Sequence, residues 1–185
     1  MMNENYAQPD LLPGSEADIV RECYQYRSCS RRHSLGYSLK IVLKTAPKVT
    51  LMGSGAILME VIKAADHLEA MDIDVTVFSV TSSSELARDG AMSQEPIAVR
   101  PEPVEGYSPF ITQQLMQSQG PIIADTDYVR AVPESIRAYL PEGRRYTTLG
   151  IDGFGRSDTR AAIRAFFSAD AASIVRAALA AIQAD

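Results

Sequence analysis

Three local patterns in this chain carry side chains and spacings that could do chemistry. The densest is Asp152-Gly153-Phe154-Gly155-Arg156-Ser157-Asp158. Two glycines flanking a phenylalanine make a tight loop after a strand, with the ring as its expected anchor. Arg156, Asp152 and Asp158 are suited to a charged ligand, to pairing with one another, to capping the next helix, or to meeting a neighbouring domain; the structural or interface reading is favoured. The second pattern is Gly53-Ser54-Gly55, a small-residue turn whose following helix amides could receive an anion. The dinucleotide fingerprint wants a glycine at position 58, which is Leu58, so the turn is read first as structural. The third is Ser82-Ser83-Ser84, which lacks a nucleophile-elbow frame and is read as helix capping. His33 and His67 have no sequence neighbour that would make either a base or a ligand. Cys23 and Cys29, with five residues between them, read as reduced thiols, since a closed zinc site needs four ligands. No catalytic, cofactor-binding or metal-binding residue is assigned.

The elements that must position these residues follow from periodicity. Lys48 to Met52 reads as a strand. A helix follows, with Ile57, Leu58, Val61, Ile62, Ala65 and Leu68 on one face and Glu60, Lys63 and His67 on the polar face. Asp74 to Val80 is a second, continuously apolar strand, and Ser82 with Glu85 forms a capping box for the next helix. Pro121 to Ala124 and Tyr146 to Gly150 are further strands. Asp125, Thr126 and Asp127 offer caps for the helix between them, which Pro133 kinks or restarts. Two helices close the chain, about Ser157 to Phe167 and Asp170 to Ala184. Strands alternating with helices imply right-handed βαβ units and a mostly parallel sheet with helices on both faces.

Before residue 48 the pattern is weaker. Residues 1–14 read as an extended arm, and Ser15 with Asp18 opens a helix carrying Ile19, Cys23 and Tyr26 on one face. From Cys23 to Met59 there is no acidic residue, while Arg27, Arg31, Arg32, Lys40, Lys44 and Lys48 are all basic. Without an aromatic platform this reads as a solvated linker, and no nucleic-acid partner is expected. Residues 91–109 hold Pro96, Pro101, Pro103 and Pro109 and read as a disordered insertion. The domain plan is therefore 1–47 (arm, helix and basic segment) and 48–185 (an α/β domain).

The 185 residues are 46% hydrophobic and 22% charged with a formal charge of −5, a balance that selects no partner class. No continuous apolar run reaches the eighteen or so residues of a spanning helix, and the first twenty residues do not look like a secretory signal. A cytoplasmic location without a membrane partner is expected.

The loop at 152–158 resembles a signature in the C-terminal domain of the homodimeric bacterial pyruvate dehydrogenase first component. Asn3-Glu4-Asn5-Tyr6, Gly53-Ser54-Gly55-Ala56-Ile57-Leu58, Ser84-Glu85-Leu86-Ala87-Arg88-Asp89-Gly90 and Thr126-Asp127-Tyr128 are similar to that family in the same order. The resemblance implies a three-layer, transketolase C-terminal-like fold. It implies thiamine diphosphate and magnesium for the full-length family, bound by preceding domains, and oxidative decarboxylation of pyruvate with acetyl transfer to a lipoyl group. It also implies three partners: the cofactor-binding domains of the same enzyme, a second copy, and the lipoyl-bearing second component. The family's Gly-Asp-Gly and Asn-Asn cofactor motifs are not in this sequence, so no cofactor is expected on this chain alone and it is expected to be catalytically silent. Residues 27–47 depart from the family, and 91–109 lack its Trp-Asn pair. Arg100 to Gly106 resembles translated repetitive DNA. These departures suggest a decayed or frameshifted gene fragment. The alternatives are a stand-alone dimerisation or interaction module and a small anionic-ligand binder at Gly53 to Gly55.

Overall fold

A computed structural model describes residues 25–26, 46–94 and 108–184 of the chain. Five strands form one sheet: β1 (Gln25–Tyr26), β2 (Lys48–Ser54), β3 (Asp74–Val80), β4 (Ile122–Asp125) and β5 (Tyr146–Leu149), in the order β1-β3-β2-β4-β5. β2, β3, β4 and β5 run parallel, with Gly53 opposite Ser79 and Asp125, and Asp125 opposite Leu149. All their carboxyl ends therefore lie on one edge of the sheet. β1 pairs antiparallel with the outer edge of β3, Gln25 opposite Phe78 and Tyr26 opposite Val77.

The helices are α1 (Leu58–Glu69), α2 (Ser83–Gln94), α3 (Phe110–Leu115), α4 (Ala131–Glu134), α5 (Arg160–Phe166) and α6 (Ala171–Gln183), with single 3-10 turns at Gly55–Ile57 and Arg137–Tyr139. On one sheet face Val49, Leu51, Val75, Val77 and Ile123 pack with Val61, Ala64 and Leu68 of α1 and Ile174, Ala178 and Ala181 of α6. On the other, Met52, Phe78, Val80, Ile122 and Ala124 pack with Leu86 of α2, Ile111 and Leu115 of α3, and Ile136. Strand alternation divides these two cores, as it must when both faces of a parallel sheet are covered. The expected three-layer α/β architecture is the one observed.

Several local expectations change. Tyr26, expected in a helix, lies instead in β1, where the open edge of β3 offers backbone partners that outweigh a weak helical pattern. The remainder of that reading, from Ser15 through Cys23, falls outside the described residues, as do Cys29 and His33. Residues 91–94, assigned to the insertion, are the last turn of α2, while 95–107 are not described. The capping box holds, with the Glu85 amide donating to Ser82 Oγ at 3.2 Å. Asp125 and Thr126 do not cap α4. Arg130 precedes that helix without a side-chain cap, and Pro133 sits within its single turn.

The amino ends of the strands are tied by Arg144. Its guanidinium donates to the carbonyls of Gly120 (2.8 Å) and Leu115 (2.8 Å), to Ser118 Oγ (3.1 Å) and to Thr50 Oγ1 (2.8 Å). Gly120, at φ +77°, lets β4 begin against β2; a Cβ there would lie 1.8 Å from the Lys48 carbonyl oxygen. By length and composition Arg160–Gln183 passes for a membrane-crossing stretch. Ser168 at φ 58° divides it into α5 and α6, and α6 buries its apolar stripe on the sheet.

Candidate functional site

The carboxyl edge of the sheet gathers every pattern that the sequence singled out for chemistry, as parallel α/β folds tend to do. β2 ends in Gly53-Ser54-Gly55. Gly53 is small because α1 leans on it: a Cβ would meet Val61 Cγ2 at 2.9 Å. Gly55 has φ +58° and faces the Asp127 carboxylate, which would stand 3.4 Å from a Cβ at that position. A carboxylate so close repels a second anion, so this turn is poorly disposed to hold phosphate.

From β4 the chain turns in short steps. Asp125 Oδ1 accepts the Thr126 amide at 2.8 Å, and Thr126 Oγ1 accepts the Tyr128 amide at 3.2 Å. The Tyr128 carbonyl then accepts the Ile151 amide at 2.8 Å, which ties this turn to the loop after β5. Asp152 completes the tie. Its Oδ1 accepts the Arg130 amide at 3.0 Å and its Oδ2 accepts Arg130 Nε at 2.5 Å. Asp152 thus satisfies the backbone at the start of α4 from 22 residues away. The amide and guanidinium of Arg130 hold its carboxyl below the usual aspartate range.

The 152–158 loop differs from its expected shape. Phe154, expected to anchor the loop, is 97% exposed and packs on nothing among the described residues. The loop is held by polar groups instead, chiefly the Asp152–Arg130 pair. Gly153 supplies a φ of +114°, with open space around it. Arg156 pairs with neither aspartate of its own loop; its guanidinium lies 4.2 Å over the Phe166 ring. Asp158 Oδ1 accepts the Thr159 amide at 2.7 Å, and Thr159 Oγ1 caps α5 by accepting the Ala162 amide. Gly155 and Ser157 are exposed. Tyr128 and Val129 are exposed on the same edge, so the loop and the turn together present aromatic and aliphatic surface to solvent.

Two buried carboxyls have no local sequence signal. Glu60, assigned to a polar helix face, is buried. It accepts Lys63 Nζ and Arg164 Nη1, each at 2.9 Å, and the Ala171 amide at 3.3 Å. The Lys63 hydrogen bond foremost lowers its carboxyl pKa below the ordinary value, against the effect of burial. Asp125 is also buried, and its Oδ2 has no hydrogen-bond partner among the described residues. An aspartate at a strand end reads as a cap, and only the tertiary fold shows it enclosed.

A magnesium-held diphosphate does not fit this edge. Among the described residues no three His, Cys, Asp or Glu side chains converge as a metal site, and Asp152 is committed to Arg130. What the edge offers is exposed aromatic and aliphatic side chains beside a loop tied at Asp152.

A family model described as the transketolase-like TK C-terminal domain matches residues 36–170. The chain belongs to this family. The match begins inside the 27–47 segment that was expected to depart from it. Curated relatives named pyruvate dehydrogenase E1 component share 40% identity over 183 residues in Cupriavidus necator, covering 98% of this chain and 19% of the relative. The Escherichia coli K12 relative shares 38% over 180 residues, covering 96% of this chain and 18% of its own length. The resemblance to the pyruvate dehydrogenase first component is therefore borne out, and the chain spans about a fifth of the length of these relatives. Among solved structures, a split-gene transketolase described as an inactive β4 tetramer superposes with a TM-score of 0.52 at 16% identity, covering 75% of this chain and 40% of that one. That likeness supports the fold.

Proposed function

We propose that this chain acts as the C-terminal, non-catalytic domain of a thiamine-diphosphate-dependent pyruvate dehydrogenase first component. In this reading it docks through its carboxyl edge onto the cofactor-bearing domains and a second copy. The assembled enzyme then decarboxylates pyruvate and passes the acetyl unit to the lipoyl group of a second component. The observation that carries the docking role is Phe154. A phenylalanine 97% exposed on a loop pinned by Asp152 and Arg130 has no packing role among the described residues. An exposed aromatic side chain on the same sheet edge as exposed Tyr128 is the kind of anchor on which interfaces concentrate their binding energy. A cytoplasmic location accords with this role.

The test pairs turnover with association. The purified chain, given pyruvate, thiamine diphosphate, magnesium and an artificial electron acceptor, should show no turnover. Mixed with the Cupriavidus necator relative from which the matching fifth has been removed, it should form a complex. Phe154→Asp should weaken that complex at least about tenfold. Turnover by the chain alone, or an affinity indifferent to Phe154, would overturn the reading.

A further inference from the structure

Asp125 sits where a charge is least welcome. It is the last residue of β4, 2% exposed, with Gly53 and Leu149 as its neighbours on the flanking strands. Strand alternation places its side chain with Ile123 on the sheet face covered by α1 and α6. Oδ1 accepts one backbone amide, and Oδ2 has no hydrogen-bond partner among the described residues.

The charged groups around it do not compensate. Asp170, ahead of α6, and Asp127, two residues along the chain, both add negative potential, while Arg164 of α5 is the cation that opposes them. Arg164 is already committed to Glu60 Oε1 of α1 and to the Ala56 carbonyl. Glu60 also holds Lys63 of α1. The flanking strand positions, Gly53 and Leu149, carry no charge. An unpaired carboxylate buried here is costly, whereas a neutral carboxyl is tolerated.

We propose that Asp125 is a pH-sensitive latch of this domain: the neutral acid stays enclosed and keeps the turn 126–130 and the loop tied to it in place, and the ionised form, driven toward water, loosens them. The links run in series: Asp125 accepts the Thr126 amide, Thr126 Oγ1 the Tyr128 amide and the Tyr128 carbonyl the Ile151 amide, and Asp152 accepts the Arg130 amide. Burial above all pushes the Asp125 carboxyl up from 3.8 to about 7, against the Thr126 amide, whose hydrogen bond favours the carboxylate. The sign is opposite to that of a paired carboxylate. The folded state keeps a proton that the unfolded state has lost, so stability falls as pH rises from about 4 to about 7 and then levels off.

The test uses the whole chain. Carboxyl-carbon NMR should show one aspartate titrating with a midpoint near 7, absent in Asp125→Asn. The Thr126, Tyr128 and Ile151 amide signals should move with the same midpoint in the native protein and stay still in the variant. In melts, Asp125→Asn should exceed the native protein by more than about 5 °C at pH 8 and match it within about 2 °C at pH 4.5. The carbon titration needs no variant, so a poorly folding Asp125→Asn would leave that arm decisive. No aspartate titrating above about pH 6, or three amides unmoved between pH 5 and 8, would overturn the proposal.

Discussion

Glu60 shows how far a single residue's role can lie from its local pattern. Its helix position beside Lys63 and His67 reads as solvated, yet it closes a junction between α1, α5 and the start of α6 through Arg164 and the Ala171 amide. Arg164 is 104 positions away in the chain, so no local pattern announces the pair. Both side chains are mostly buried, at 12% and 16% exposure, so removing Glu60 leaves the Arg164 charge without a counter-ion among the described residues. Glu60→Ala should lower stability by about 3 kcal/mol in urea denaturation. Its pH signature follows from the sign of the shift. The folded carboxyl lies below its ordinary 4.5, so the contribution is in place above that value and is lost as pH falls through the lower folded value. The variant should therefore show a flatter acid limb than the native protein.

Elements were the most legible level, because their signal is local. The continuously apolar run of β3, the stripe of α1 and the Ser82–Glu85 box all stand where the pattern puts them. What local pattern could not supply was the partner across space. Tyr26 followed the edge of β3 instead of its helical neighbours. The loop at 152–158 was legible as special, but not as a loop whose aspartate is tied to Arg130 and whose phenylalanine is free. Close approach between elements is equally hidden in a glycine. Gly120 and Gly143 have nearly equal φ values, +77° and +76°, yet a Cβ on the first would lie 1.8 Å from the Lys48 carbonyl, and on the second would meet nothing within 4 Å. Gly143→Ala should cost about 1–2 kcal/mol for the left-handed backbone alone. Gly120→Ala should cost more than about 3 kcal/mol, since β2 and β4 must also part. Paired chemical denaturation curves of the two variants check this directly.

For the whole molecule, Glu60 and Asp125 act in opposite directions: acid undoes the first, and the approach to neutrality weighs on the second. The curve of stability against pH should peak on the mildly acidic side, between their two transitions. The amino edge of the sheet is tied without Glu60 or Asp125. There Arg144 joins the end of α3, the start of β4 and Thr50 of β2 through one guanidinium. These three pieces cannot fray one at a time. In deuterium exchange, the amides of Thr50 and Ile122 should become labelled at a common, slow rate set by whole-domain opening, long after those of the Tyr128 turn.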